Sequence, residues 1–470
     1  MKVGLFGSGF VRRLLTPVLG GSAPLAPGLW AALLGPCLSV APTEAASVLL
    51  AGAARREITP ASQMASWVDF KPFDKVIDPL FVRALVLSDG SNRVALLSCD
   101  LTDTRETMTA NLRQAIEQAT GIPAANILIN ASHTHSAPLS PLLGDPWLSA
   151  KRRDFARVEA GAFFKPWSSR LSSNCVEAVR EAKAALRPAS LAIGRALVPE
   201  VLFNRRPVRP DGRVETVFEP PDPFSLAAGL KFGPLDPTLT VLALKDGQGN
   251  NLDTIFSLPC HAVCVYPKQR GLSADWPGAA AAQLQEALGG QAQFLQGCAG
   301  DIVPARRGLA AAREIGQLVG RRALSAYTNS LRLPPAPLHC RRFPLDLPLN
   351  QAARRELQQL VVKTEIQIIA CGPVAIVALP GEPLIELAMQ IQDRSPFPHT
   401  LVLGYSNGNG VEYVGMPGEK RRGGYEMTEA VGAGADDCGA LLLNAAIQQL
   451  RELAQSLPAS GALPGPRSPP

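Results

Sequence analysis

The stretch Ile127-Leu128-Ile129-Asn130-Ala131-Ser132-His133-Thr134-His135-Ser136 shows the pattern of the whole chain in small: a short β-rich apolar run, then chemically capable side chains at its carboxyl end. The run 127–131 is the length of a strand and is rich in β-branched residues. Just upstream, 107–120 reads as an amphipathic helix, stopped by Gly121 and Pro123. A helix, a breaker, a strand and a polar cluster in that order point to a mixed α/β fold.

Working outward, the same alternation covers residues 50–457. Strands are expected at 83–87, 93–99, 239–244, 254–258, 293–296, 366–369, 374–379 and 400–403. Helices are expected at 172–186, 276–288, 309–330 and 383–392. Cys371-Gly372-Pro373, between two apolar runs, reads as a hairpin turn. With no internal repeat and no long linker, the fold class is α/β: mixed β-sheets with packed helices in a single large catalytic domain.

The ends differ from this body. Lys2, Arg12 and Arg13 precede an apolar stretch that closes near Ala45 and Ala46, so 1–46 reads as a signal peptide and the protein as exported, periplasmic or secreted. Residues 458–470 are a Pro/Gly/Ser tail with no means of packing a core. The net charge of +6 is spread without a run of like charges, and the basic pairs lack interleaved aromatics, which gives nucleic-acid binding no support. Eight of the nine cysteines are scattered through the body, several inside apolar runs. They read as buried thiols, with one or two disulfides allowed by an oxidising compartment.

Polar residues recur after strands: His133 and His135 after 127–131, His261 after 254–258, Asp301 after 293–296, and Glu382 after 374–379. Ligands gather outside the carboxyl ends of strands in α/β sheets, so these segments are expected to meet in one cleft. Histidine is scarce, with five in the chain, and two fall in His133-Thr134-His135. An extended backbone there aims both imidazoles at one site, one as a metal ligand and one as a proton shuttle. Polar strand ends with no such role have the same appearance, and Glu382 at a strand-to-helix corner also suits a helix N-terminus without chemistry. Cys260 and Cys264 flank His261, but no second cysteine pair completes a thiolate site, so both read as core residues.

Taken in order, these blocks resemble the N-terminal catalytic domain of the neutral, non-lysosomal ceramidases and their bacterial relatives. The resemblance covers roughly residues 50–453. It begins at Ile58-Thr59-Pro60 and Asp78-Pro79-Leu80, and continues through Ser132-His133-Thr134-His135-Ser136-Ala137-Pro138, similar to the family's HTHSGP block. Asn204-Arg205-Arg206, Ser273-Ala274-Asp275-Trp276-Pro277-Gly278, Gly300-Asp301, Pro380-Gly381-Glu382-Pro383 and Gly404-Tyr405-Ser406-Asn407 complete it. The resemblance implies one Zn²⁺ per chain held by His133, His261, Glu382 and Tyr413. It also implies proton transfer by His135, binding of substrate or developing oxyanion by Arg205, and hydrogen bonding from Tyr425. Tyr413 and Tyr425 keep the interval between the family's two site tyrosines, although 408–412 departs from the usual spacing.

The implied activity is hydrolysis of an amide (N-acyl) bond in a small-molecule or lipid-like substrate, with transient contact to a membrane surface allowed and the oligomeric state left open. One departure bears on substrate. The family's serine before the block's proline is needed for ceramide cleavage, and here that position is Val303, before Pro304. Valine offers no hydroxyl, so ceramide is not the expected substrate. Two other readings stay open: an exported zinc-binding protein without ordinary turnover, and a hydrolase of an ester or cell-wall link.

Overall fold

The computed structural model describes residues 48–145 and 152–457, so the leader expected over 1–46 and the tail over 458–470 lie outside the described residues. The strand Ile127–Ala131 is buried along its whole length and runs parallel to Arg93–Cys99, with Cys99 opposite Ala131. Before it, the helix Glu106–Thr120 buries Met108, Leu112, Ile116 and Thr120, one residue per turn. Burying side chains such as Leu112 and Ile116 stabilises the fold by about 1.5–3 kcal/mol each. The helix ends at Gly121, whose φ of 69° and N–H bond to Glu117 O (2.7 Å) form a left-handed cap.

The main sheet follows the path Gln291–Phe294, Asn251–Ser257, Thr238–Asp246, Arg187–Leu197, Leu50–Glu57, Phe81–Ser88, Arg93–Cys99, Ile127–Ala131. Its pairings are antiparallel except at the two ends, where Gln291–Phe294 and Ile127–Ala131 each lie parallel to their neighbour. At mid-path only Leu50 and Ala51 pair, with Pro188 and Arg187. The sheet is therefore two halves hinged at a corner, and polar ties join its two ends: Ser98 Oγ donates to Phe294 O (2.6 Å) and Gln296 N–H to Asn130 Oδ1 (2.8 Å). Strands far apart along the path thus bring their carboxyl ends to one place.

A second sheet, Leu338–Pro348, Val361–Cys371, Val374–Ala378 and His399–Leu403, is antiparallel except for its last pair. The expected hairpin is present, with Gly372 at φ 56°. Ile369, Ile376, Leu401 and Leu403 share one buried cluster with Leu85, Leu96, Leu128, Leu242 and Ile255, so the two sheets pack against each other. Helices cover the outer faces. Phe164–Ala184 lies over Leu50–Glu57 and Phe81–Ser88, and Leu309–Thr328 over Arg187–Leu197. The approach is close enough that a Cβ on Gly52 would meet Ala182 O at 2.2 Å, and one on Gly194 would meet Ala326 O at 1.9 Å. Among the described residues no helix is long and apolar enough to cross a membrane.

Several boundaries move for physical reasons. The helix expected from 172 begins at Phe164, because Phe164, Trp167 and Leu171 extend its buried face and Trp167 Nε1 donates to Ile58 O (2.7 Å). Arg187–Leu197 and Leu338–Pro348 are half-exposed strands with no continuous apolar run to reveal them. The cysteines of the body are free thiols, most of them buried, and no disulfide is formed among the described residues.

Asp253 is an exception to the core's apolar chemistry. It is fully buried, takes one hydrogen bond from Gln293 Nε2, and leaves Oδ1 without a partner. Burial pushes its carboxyl up to about 7. The folded state therefore holds a proton that the unfolded chain releases near pH ~4. Stability from this group is complete below the unfolded value and is lost as pH rises through the folded one, by at most about 1.4 kcal/mol per pH unit. Asp253→Asn is expected to remove that slope, so the variant's Tm should gain on the native protein's between pH 5 and 8; an unchanged difference would show that Asp253 is ionised throughout.

Candidate metal centre and active site

His133 leaves the Ile127–Ala131 strand through Ser132, whose N–H donates to Cys99 O (2.8 Å). The backbone does not continue extended, as the His-Thr-His spacing suggested: His133 has φ 62°. A left-handed non-glycine residue costs about 1–3 kcal/mol unless its surroundings hold it. Here Nδ1 is 2.5 Å from Thr102 O, and Thr134 bridges to Ala262 on the loop that carries His261. The turn brings His133 and His135 together edge to face, with ring centroids 4.7 Å apart.

His261 is tied in the same way, its Nδ1 lying 2.6 Å from Ala299 O and 3.0 Å from Ile302 O. Carbonyls only accept, so both Nδ1 atoms carry a proton and both Nε2 atoms are turned elsewhere. They point at one oxygen: Glu382 Oε2 is 3.4 Å from His133 Nε2 and 3.5 Å from His261 Nε2. His261 Nε2 is buried and has no hydrogen-bond partner. Burial lowers the His261 imidazole to about 3, helped by His133 and Arg205. Burial alone would raise Glu382, but the two imidazoles outweigh it and hold the carboxyl well below its usual range.

His133, His135 and His261 form a group able to hold a metal ion, their ligand atoms lying within 4.8 Å of one another. A neutral His261 beside an anionic carboxylate is also the protonation state that metal binding requires. Ligands at 2.0–2.1 Å in a tetrahedron stand about 3.3 Å apart, close to the two Glu382 spacings. His135 differs from the other two imidazoles. Its Nε2 is 3.0 Å from His133 Nε2, its ring meets Trp67 edge-on, and it is the partly exposed member of the three. Burial, then the neighbouring imidazoles, push it well below the usual histidine value.

Tyr413 stands opposite Glu382 in a short parallel bridge and accepts from Arg205 Nη2 (3.1 Å). Burial and the Glu382 charge raise its phenol well above the usual range. Arg205 donates from Nε to Glu426 (2.6 Å) and from Nη2 to Gly300 O (2.7 Å), while Arg206 binds Glu426 and Glu419, both at 2.7 Å. This buried network fixes the Arg205 cation in front of Tyr413. Tyr425, 39% exposed, packs on Phe218 and on Tyr413. All seven residues singled out in the sequence thus lie around one centre.

Other residues take part that sequence reasoning left without a role. Tyr405 stacks on His133 at 4.1 Å and donates to Glu382 Oε2 at 3.4 Å. Glu426 anchors both arginines. Tyr405 stands at the end of a strand and Glu426 beside Tyr425, which are the signals that would have found them. Asp301 has a structural place, accepting from Asn204 Nδ2 (2.9 Å) and Ile385 N–H (2.8 Å). Val303 is fully buried, paired with Phe203, one residue beyond the carbonyl that His261 uses. Cys260 and Cys264 are buried thiols pushed up by burial, in keeping with a core role.

A cavity of about 910 Å³ between Thr238–Asp246 and Ile385–Arg394 touches none of these residues. The smaller cleft, about 470 Å³, opens on His135.

The fold has solved relatives. A neutral ceramidase from Pseudomonas aeruginosa matches with a TM-score of 0.69 and 17% identity, over 89% of this chain and 76% of that one. A ceramidase complexed with C2 matches with a TM-score of 0.68 and 16% identity, over 89% and 77%. Residues 76–317 match the family model described as neutral/alkaline non-lysosomal ceramidase, N-terminal. Half of the sequence follows that model, and the chain belongs to the neutral/alkaline non-lysosomal ceramidase family.

Proposed function

We propose that this protein is an exported zinc-dependent hydrolase of an amide (N-acyl) bond, with His133, His261, Glu382 and Tyr413 as metal ligands. The observation that carries the reading is the pair of buried imidazoles whose Nε2 atoms both lie within 3.5 Å of one carboxylate oxygen. Two nitrogens, a carboxylate and a phenol make a borderline-hard donor set suited to zinc. When bound, a zinc ion supplies a Lewis acid that polarises a carbonyl and brings the pKa of a water to about 7.

The remaining residues divide the other tasks. His135 reaches solvent and lies beside the ligand His133, so it takes the proton from the attacking water and returns it to the departing nitrogen. Arg205, held charged by Glu426, faces the developing negative oxygen, and the Tyr425 hydroxyl donates to it. Tyr425 is suited to donate because a tyrosine phenol keeps its proton at neutral pH.

His133→Ala and His261→Ala are each expected to lose most of the bound metal, since each removes one of four ligands. His135→Ala is expected to keep the metal and lose about 10²–10⁴ in rate, the usual range for a proton-transfer group. Elemental analysis and kinetics on the three purified variants check this; metal loss equal in all three would make His135 a ligand.

Ceramide is expected to be a poor substrate. A hydrogen bond left unmade in a buried site costs about 1–3 kcal/mol, or roughly ten- to a hundredfold in rate, and Val303 has no hydroxyl to make it. Hydrolysis of ceramide beside shorter N-acyl amides, with zinc present, tests this; efficient ceramide turnover by the native protein would contradict it.

A further inference from the structure

The cleft beside His135 has a composition unlike that of a lipid channel. Its wall carries Asp69, Asp74, Lys75, Lys268 and Arg270, and among the described residues no valine, leucine, isoleucine or methionine lines it. Its apolar surface is Phe73, Pro267 and the ring of Tyr266. At about 470 Å³ it has the volume of a small-molecule site.

Two features point to a ligand. Ser136, next to His135, is 2% exposed and lines the cleft, yet its hydroxyl has no hydrogen-bond partner. Buried hydroxyls are nearly always paired, so this one fits a bond made when a ligand is present. The second feature is charge. Arg270 is held between Asp69 (3.1 Å) and Asp74 (2.6 Å), and Lys268 is paired with Glu219 (2.9 Å). Lys75 is exposed, has no ion-pair partner among the described residues, and is held in place by its backbone pairing with Gly271. Among the described residues the cleft therefore offers one uncommitted cation.

The chemistry decides which part of a substrate lies here. In amide hydrolysis the water oxygen bonds to the carbonyl carbon, the C–N bond breaks, and its electron pair stays on nitrogen. The nitrogen then takes the proton that His135 removed from the water, which requires the amine to lie within hydrogen-bond reach of His135. The amine portion thus occupies the cleft. We propose that this cleft is the amine-side subsite and that it takes a compact hydrophilic amine bearing a carboxylate, so that the substrate is an N-acyl amino acid. Ser136 Oγ donates to its polar backbone and Lys75 pairs with its carboxylate. This inference rests on the hydrolase reading above.

The test has a kinetic and a binding arm, both on zinc-loaded full-length protein. N-acyl derivatives of an amino acid, an amino sugar and sphingosine, with the same acyl chain, are compared by kcat/KM. The amino acid derivative is expected to lead by about tenfold or more, the scale of one buried polar contact. Lys75→Glu is expected to raise its KM about tenfold with little change in kcat, and to leave the amino sugar derivative unaffected. Ser136→Ala is expected to raise KM for both. Calorimetry with the free amino acid reads the subsite without turnover. Preference for the sphingosine derivative, or a Lys75→Glu variant with unchanged KM, would overturn the proposal while leaving the hydrolase reading intact. Binding of the amino acid, lost in Lys75→Glu, without cleavage of any amide would overturn the hydrolase reading and with it the substrate assignment, leaving only an amino acid site. Neither binding nor cleavage would overturn both.

Discussion

The Glu382 carboxylate is mostly shielded from solvent, and what allows it to stay charged is the pair of imidazoles facing it. An isolated carboxylate in such a place would protonate or draw in water. The imidazoles are in turn fixed by carbonyls from separate segments, Thr102 for His133 and Ala299 with Ile302 for His261. Each of those segments follows a strand. The position of the charged group therefore depends on the corner in the main sheet and on the packing of the second sheet, because no single element carries two of the three groups. A metal cation in this place would complete the electrostatics, as a positive charge between the carboxylate and the two Nε2 atoms.

The polar ties between strand ends hold this geometry. Asn130 and Gln296 are fully buried, and between them they reach Gly404 O, Ser406 Oγ, Ser132 O and Cys260 O. Ser132 and Cys260 immediately precede His133 and His261, so the Gln296 amide, which bonds both carbonyls, sets the separation of the two imidazole-bearing loops. Satisfied buried networks of this kind make the arrangement unique, since any partial opening leaves several polar groups unpaired. The second layer, Arg205 and Arg206 with Glu419 and Glu426, does the same for the tyrosine side of the centre.

Much of this was legible in the sequence because burial and function left simple marks. Ile127–Ala131 is apolar on both faces and reads as a strand; its polar sequel reads as a site. The helices at Glu106–Thr120, Asp275–Leu288 and Leu309–Thr328 have one-sided apolar faces and were placed within two residues. Arg187–Leu197 and Leu338–Pro348 were not seen, because edge-like strands that alternate between core and solvent look polar in a short window. The closing helix Cys438–Ser456 has a clear buried face of Leu442, Leu443, Ala446 and Leu450 and was within reach of the same reading. At the centre, residue types were legible but backbone conformation was not. The left-handed turns at His133, Tyr405 and Glu412 depend on contacts with distant segments that no local pattern encodes. For the same reason Tyr405, quoted within its block, carried no assigned role: its contact with His133 joins positions far apart in the chain.

The proposed metal centre places one ion between His133, His261 and Glu382 and leaves His135 outside the ligand set. Anomalous scattering at the zinc edge from a crystal of zinc-loaded native protein tests it most directly. One peak is expected, about 2.0–2.1 Å from the Nε2 atoms of His133 and His261 and from a Glu382 oxygen, with His135 not bonded to it. A peak coordinated by all three imidazoles, or no peak between them, would contradict it.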